Sequence, residues 1–140
     1  MTTGRRPEPN VWRLLRVGLL AGVVAAVVTM AVAGLAGAAG ATFEVQGEAI
    51  PLPAFALWSI IGGLIGGALA RLLRSPGRFV TVAMVGTALS LIPPLALPDA
   101  AATKAVLVLT HLVAASIIIP LLRKRLRTAD SLHGEARTRS

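Results

Sequence analysis

The chain has 140 residues, of which 55% are hydrophobic and only 14% are charged. At a mean hydropathy of +0.77, a water-soluble domain would have too little polar surface, which excludes most soluble classes and places the chain in lipid. The formal net charge of +8 does not predict a nucleic-acid partner, because the basic residues stand in short blocks between apolar runs without interleaved aromatic residues. The absence of cysteine excludes disulfides, thiolate metal sites and thiol nucleophiles.

The N-terminal segment, residues 1–16, is polar and basic, and Pro7 and Pro9 discourage a helix at its start. We predict a short disordered tail in the cytoplasm, with Trp12 anchored at the depth of the lipid headgroups. The first apolar run, residues 17–39, is longer than the roughly 7 to 15 residues of a signal-peptide core. An uncleaved transmembrane helix is therefore favoured over a cleaved signal peptide.

Residues 40–50 contain two Glu and no Lys or Arg, and are expected to form a short extended or interfacial loop. The second span, residues 52–70, begins among prolines and carries the stretch GGLIGG. Small residues spaced four apart let two helix backbones approach closely in lipid, and the first span repeats the spacing. Packing within the chain is the favoured interpretation, and a homodimer face is the alternative. The predicted helix-packing residues are Gly18, Gly22, Gly62, Gly63, Gly66 and Gly67.

The third span, residues 79–97, follows a turn with a basic rim. Pro93 and Pro94 near its far end lack amide donors, so they should kink the helix and free carbonyl groups about one turn back, near Leu89 and Ser90. A kinked end of this kind requires new hydrogen-bond partners for those carbonyls.

The fourth span, residues 101–122, is about 33 Å long as a helix, enough to cross a hydrocarbon core of about 30 Å. His111 therefore lies near the bilayer midplane. The basic run RKRLR that follows is interpreted as a stop-transfer anchor in preference to a specific site for anionic lipids. Residues 123–140 are predicted to be a basic cytoplasmic tail whose last part is disordered.

The basic residues also orient the bundle. Four Arg precede the first span, three lie within residues 71–78 and six Lys or Arg follow residue 122, whereas Lys104 stands alone on the opposite side. By the positive-inside rule, both termini and the loop at 71–78 are cytoplasmic. The predicted fold is an all-α membrane protein with four transmembrane helices in an up-down-up-down bundle of the plasma membrane. The predicted partner is the lipid bilayer, with a second copy or another membrane protein as further candidates.

Polar side chains lie near the middle of every span. If they face inward, they form a hydrogen-bonded layer, because polar groups in lipid must find internal partners. The favoured interpretation is that His111 is neutral and bonds a neighbouring hydroxyl or a carbonyl freed by the two prolines. The alternative is a proton or substrate site, because an ionisable residue inside the membrane is a functional candidate. The predicted layer consists of Thr29, Ser59, Thr87, Ser90, Thr110 and His111.

No metal, cofactor or catalytic site is expected. His111 and His133 are separated by the membrane boundary, and no Asp or Glu joins either at ligand spacing. Thr110 is next to His111 in sequence, but adjacent residues on a helix diverge by about 100° and do not face each other. We therefore do not predict an enzyme.

Three stretches carry a resemblance to a known family: FEVQGEAIPLPAF before the second span, ALSLIPPLALPDAA in the third and LTHLVAASIIIPLL in the fourth. Over residues 11–125 the chain resembles a family of small four-span membrane proteins from actinobacteria, which is a domain of unknown function. The most specific piece is residues 110–115, followed by Pro120. The resemblance implies a four-helix integral membrane fold and no catalytic or binding residue.

Three functions from different classes remain open. A structural or partner-binding bundle is favoured, because it needs only residues that pack helices together. A small transporter or channel-like homo-oligomer would use the midplane polar residues around His111 as its path. A membrane enzyme or redox helper is disfavoured, because the sequence has no Cys, paired carboxylates or metal cluster.

Overall fold

The structure, a computed structural model, describes the backbone of residues 11–138 and the side chains of residues 12–128. Four stretches of this part are long and apolar enough to cross a membrane: Trp12–Ala38, Leu52–Leu73, Pro76–Ala96 and Ala101–Thr128. They pack as a helical bundle, which confirms the predicted four-span all-α fold. In chain order the elements are α1 (Val11–Ala38), β1 (Glu44–Val45), β2 (Glu48–Ala49), α2 (Leu52–Leu73), α3 (Pro76–Ser90), α4 (Ile92–Ala96) and α5 (Ala101–Thr138).

Helices α1 and α2 form a close antiparallel pair. The buried face of α1 consists of small residues at helical spacing: Gly18, Ala21, Gly22, Ala25, Ala26, Thr29 and Ala33. On α2 the buried positions are Phe55, Ser59, Gly63, Gly67 and Ala70. Small side chains on both helices allow the two backbones to approach closely, which lets dispersion contacts and hydrogen bonds hold them in lipid.

The glycines of the sequence patterns lie on two faces of α2. A Cβ atom built at position 63 would be 2.6 Å from the Cα atom of Gly22, and one at position 67 would be 2.9 Å from the carbonyl oxygen of Leu14. On the other face, a Cβ at position 66 would be 3.0 Å from Leu122 of α5. Five of the six predicted packing glycines thus face close neighbours within the chain. Gly62 is the exception, because a Cβ built there would meet only the side chain of Ile118, 4.0 Å away.

A buried cluster near the α2–α3 turn joins all the long helices. Helix α5 contributes Leu122 and Leu126, α2 contributes Ala70, and α3 contributes Phe79, which is only 1% exposed. Phe79 is the one buried residue of α3. The third span is thus held firmly near its start and loosely along its middle.

The loop between α1 and α2 is a small β-hairpin. Glu44 pairs with Ala49 and Val45 with Glu48. The two turn residues, Gln46 and Gly47, have φ angles of 53° and 81°, as in the type I′ turns that close two-residue hairpins. The expected extended loop therefore takes a defined antiparallel form.

The start of the hairpin segment is tied to the bundle. The ring centroids of Phe43 and Phe55 lie 5.6 Å apart in an edge-to-face arrangement. The hydroxyl of Thr103 on α5 donates to the carbonyl oxygen of Thr42 at 2.6 Å. These contacts hold the hairpin over the end of the bundle at which α5 begins.

The third span is interrupted, as its prolines predict. Helix α3 ends at Ser90, Leu91 lies between the two pieces, and α4 carries Pro93 and Pro94 as far as Ala96. The amide N–H of Leu97 donates to the carbonyl oxygen of Pro93 at 2.9 Å, which restores helical bonding beyond the break. Pro94 is buried, so the interruption also anchors the far end of the span.

The predicted tails differ in outcome. The expected N-terminal tail falls largely on residues 1–10, which lie outside the described residues, and the described part begins as helix at Val11. The prediction of a disordered C-terminal end is wrong for the backbone up to Thr138, because α5 continues to that residue. The basic residues from 123 onward are good helix formers and extend the helix beyond the apolar span.

A candidate binding groove between α2, α3 and α5

A large groove lies between α2, α3 and α5. Its volume is about 730 Å³, within the range of roughly 300 to 1,000 Å³ that small-molecule sites occupy. It extends from Val45 and Ile50 of the hairpin segment towards Leu69 and Phe79 at the other end of the bundle. The helices that form its walls converge at the Phe79 cluster and again at Pro94, so the loosely packed middle of α3 forms one side of the groove.

The lining is almost entirely apolar. Aliphatic and aromatic side chains from three helices surround the space, and the lining contains no Asp, Glu, Lys or Arg. His111 is the one residue of the lining with an acidic or basic side chain. A lining of this composition favours an uncharged apolar occupant, because a buried charge without a partner is very costly.

All six residues of the predicted polar layer line this groove: Thr29, Ser59, Thr87, Ser90, Thr110 and His111. Two of them join neighbouring helices. The hydroxyl oxygens of Thr29 on α1 and Ser59 on α2 lie 3.0 Å apart within hydrogen-bond distance, and both side chains are buried. This pair is a polar link within the tight α1–α2 interface.

The other four residues of the layer bond to their own helices. The Thr87 hydroxyl donates to the carbonyl oxygen of Ala83 at 2.8 Å, and the Ser90 hydroxyl donates to that of Thr87 at 2.7 Å. On α5, the hydroxyl of Thr110 donates to the carbonyl oxygen of Leu107 at 2.9 Å. Among the described residues the layer is thus a set of local bonds, and only Thr29 links two helices, through Ser59 and, at 3.5 Å, the carbonyl oxygen of Phe55.

His111 bonds to neither of the partners that its sequence context predicts. Its Nδ1 lies 2.7 Å from the carbonyl oxygen of Leu107, one helical turn back along α5. Since a carbonyl can only accept, Nδ1 carries the hydrogen of this bond. The predicted partner, a neighbouring hydroxyl or a carbonyl freed by the prolines, is wrong, because the ring reaches a carbonyl oxygen of its own helix instead.

The sequence interpretation gave no role to Trp58 or Gly86, which also line the groove. Trp58 lines it and is 68% exposed, and Gly86 lines it with no atom within 4 Å of a Cβ built there. Gly86 and Ser90 have the same four-residue spacing as Gly18 and Gly22. Spacing alone therefore does not separate a glycine in a packed interface from one beside open space.

The described residues hold no group of three or more His, Cys, Asp or Glu side chains that could bind a metal ion. No curated protein and no solved structure matches the chain. Residues 9–128, most of the chain and all four spans, match a family of unknown function, DUF6069. This four-span helical membrane protein therefore belongs to the DUF6069 family.

Proposed function

We propose that this chain is a non-enzymatic binding protein of the membrane, which holds an apolar partner molecule in the groove between α2, α3 and α5. The observation that carries the proposal is the groove itself, an open cleft of about 730 Å³ with no Asp, Glu, Lys or Arg in its lining. The close α1–α2 pair is the structural part of the protein, and the groove is its binding part.

The packing of α3 leaves room for a binding role. In an 18-residue stretch of the third span only 11% of the residues are buried within the chain, although Phe79 and Pro94 hold its two ends. The middle of α3 therefore takes its dispersion contacts from whatever lies against it in the membrane. That neighbour is either lipid, whose tails are as apolar as leucine, or an apolar molecule bound in the groove.

The proposal includes the orientation of the protein. Arg71, Arg74 and Arg78 lie near the end of α2 that packs against Leu14 of α1 and Leu122 of α5. The basic run after Leu122 extends from the same end of the bundle. We place this end in the cytoplasm and the hairpin outside, in the plasma membrane of an actinobacterium, as the positive-inside rule and the family resemblance indicate.

A specific observation favours a second candidate function. Six polar side chains line the groove near the middle of the spans, and such residues also line the paths of transporters. In a small oligomeric transporter or channel-like protein, water would reach the groove. The two functions therefore differ in a property that can be measured.

The absence of cysteine in the chain makes thiol labelling in membranes a direct test. A single cysteine in place of Ala114 or Ala115 would lie in the groove lining, and Gln46→Cys provides an exposed control in the hairpin turn. We expect an uncharged, membrane-permeant thiol reagent to label both groove positions more slowly than the control, because the thiolate is the nucleophile and apolar surroundings keep a thiol protonated. A charged, water-soluble reagent should label only the control.

A groove-filling variant makes the test specific. Gly86→Leu adds a side chain where a Cβ meets no atom within 4 Å, so we expect it to reduce groove labelling several-fold. Gly34→Leu is the matched control, because Gly34 is equally free of neighbours and does not line the groove. Labelling by the charged reagent would favour the transporter instead. Groove positions that the uncharged reagent fails to label even at high pH, where a thiol ionises more readily, would contradict both functions.

A further inference from the structure

We infer that the groove selects a neutral apolar molecule that carries a hydroxyl group, such as a long-chain or polycyclic alcohol, whose O–H donates to Nε2 of His111. This inference rests on the proposed function and names the class of ligand. It follows from the hydrogen-bonding state of every polar side chain in the lining, taken together with the absence of charge there.

The hydroxyl groups of the lining already use their hydrogens. Ser59, Thr87, Ser90 and Thr110 each donate to a main-chain carbonyl oxygen of their own helix, at 2.7 to 2.9 Å. Thr29 has the carbonyl oxygen of Ala26 at 3.2 Å and the Ser59 hydroxyl at 3.0 Å as acceptors. A hydroxyl has one hydrogen and two lone pairs, so these side chains can offer a ligand only lone pairs.

His111, like the hydroxyl groups, offers the groove only a hydrogen-bond acceptor. Its Nδ1–H donates to the carbonyl oxygen of Leu107 at 2.7 Å. In the neutral imidazole the second nitrogen, Nε2, is then an acceptor. No residue of the described part of the chain bonds to Nε2, and His111 lines the groove. The histidine therefore presents an acceptor nitrogen for an incoming donor.

Trp58 is the exception among the lining side chains, because its indole N–H is a donor without a partner in the described residues. Its side chain is 68% exposed, which places it at the open edge of the groove. Deeper in the groove, the polar lining consists of acceptors. Such a lining binds an O–H or N–H group and gives no hydrogen bond to a ketone, a quinone carbonyl or an ether.

The absence of Asp, Glu, Lys and Arg from the lining restricts the class of ligand further. No carboxylate in the lining could pair with an amine that ionises, and no Lys or Arg could pair with a phosphate or a carboxylate. Because an unpaired charge in this environment is costly, ionised lipid headgroups are excluded from the groove. A neutral alcohol is the simplest donor-bearing molecule that remains, with its apolar body against the aliphatic walls.

The two tryptophans of the chain provide the assay. In the Trp12→Phe variant, Trp58 is the sole tryptophan and lines the groove. In the Trp58→Phe variant, Trp12 remains, with the same 68% exposure and a position outside the groove. The probes are a brominated long-chain alcohol and its methyl ether, which quench tryptophan on contact. Purified full-length protein in nanodiscs is titrated with each, and Trp12 quenching measures partitioning into bulk lipid.

We expect saturable quenching of Trp58 and not of Trp12. The alcohol should bind about two- to tenfold more tightly than the ether, the value of one neutral hydrogen bond. His111→Phe keeps an aromatic ring but removes the acceptor nitrogen. The alcohol should then bind only as tightly as the ether, and the affinity of the ether should not change. Ser116→Ala, which removes an exposed hydroxyl outside the groove, should leave both affinities unchanged.

The outcomes separate this inference from the function on which it rests. Saturable binding of both probes with equal affinity would overturn the alcohol selectivity and leave the binding groove standing. A His111→Phe variant that kept its preference for the alcohol would also overturn the role of His111 in that selectivity. Quenching of Trp58 that stays unsaturated and equal to that of Trp12, with both probes, would overturn the binding function itself. The wild-type ratio of affinities decides the selectivity even if the histidine variant does not fold.

Discussion

The two sides of this bundle show two ways in which helices meet in a membrane. In an 18-residue stretch of the first span, 33% of the residues are buried within the chain, and its small residues pack directly against the backbone of α2. In a stretch of the same length from the third span only 11% are buried, and its middle borders a groove. Both spans are apolar and both contain small residues four apart, so neither property by itself makes an interface tight.

The difference lies in what each helix finds on its neighbour. Lipid tails are as apolar as leucine, so helices gain little by hiding apolar side chains from lipid. Gly18 and Gly22 meet Gly63 on α2, and the close backbones are joined by the Thr29–Ser59 hydrogen bond. On α3, by contrast, no atom lies within 4 Å of a Cβ atom built at Gly86. Close packing in lipid thus requires matched small surfaces on both helices, and where the match is missing a site for another molecule can remain.

The largest predicted effect comes from breaking the tight side. Gly63→Leu would place a Cβ atom 2.6 Å from the Cα atom of Gly22, and closer still to the carbonyl oxygen of Gly18. Since both neighbours are backbone atoms, α1 must move away. We expect the free energy of unfolding in detergent to fall by at least about 1 to 3 kcal/mol, the usual cost of overpacking. Thermal or denaturant unfolding measures it.

Gly86→Leu is the matched control on the open side. Its new side chain enters space with no atom within 4 Å, and leucine is a better helix former than glycine. We expect its unfolding midpoint to equal or exceed that of the wild type. Equal losses of stability for Gly63→Leu and Gly86→Leu would show that the two interfaces do not differ as the structure indicates.

A smaller effect is expected from the polar link of the tight side. Thr29→Val keeps the shape of a buried side chain and removes its hydrogen bond to Ser59 across helices. Interhelical bonds of this kind contribute about 0.6 to 2 kcal/mol, so the free energy of unfolding should fall by that amount. Urea or detergent unfolding with circular dichroism follows it.

Thr87→Val makes the same chemical change on the open side, where the hydroxyl bonds only to its own helix. We expect less than about half the loss seen for Thr29→Val, because no second helix is released. If both valine variants lost stability equally, the hydrogen bond between Thr29 and Ser59 would have no special role in joining α1 to α2.

Much of the fold could be predicted from the sequence because membrane topology depends on one-dimensional properties. Span length, apolar character and proline positions are visible along the chain, and the break at Pro93 and Pro94 lies where the missing amide donors require it. The glycine spacing also marked residues that pack closely. The continuation of α5 to Thr138 could not be predicted, because its last part is polar and contains Thr, Asp, Ser and Gly, which are weak helix formers.

The groove could not be predicted, because it depends on how helices pair in three dimensions. The depth along each helix of Thr87, Thr110 and His111 was clear from the sequence, but the faces they share were not. Ser and Thr hydroxyls on a helix can satisfy themselves with their own backbone, which removes the need for a network across helices. The bundle is open at the middle of α3 because no residue of another helix packs against Gly86. A residue that lacks a packing partner cannot be recognised from the sequence.

The smallest predicted effect tests whether the groove side adds stability at all. His111 bonds to Leu107 on its own helix, and no bond from the described residues joins its ring to another helix. His111→Ala should therefore change the free energy of unfolding by less than about 0.6 kcal/mol, the average for an interhelical hydrogen bond in a membrane protein. Chemical unfolding of the two proteins in one detergent, beside Thr29→Val, makes the comparison. A loss as large as that of Thr29→Val would mean that the histidine holds helices together, and the open side would then be a structural interface. A negligible loss of unfolding free energy would show that His111 does not stabilise the packing of the helices, as expected of a side chain whose role is to bind a ligand.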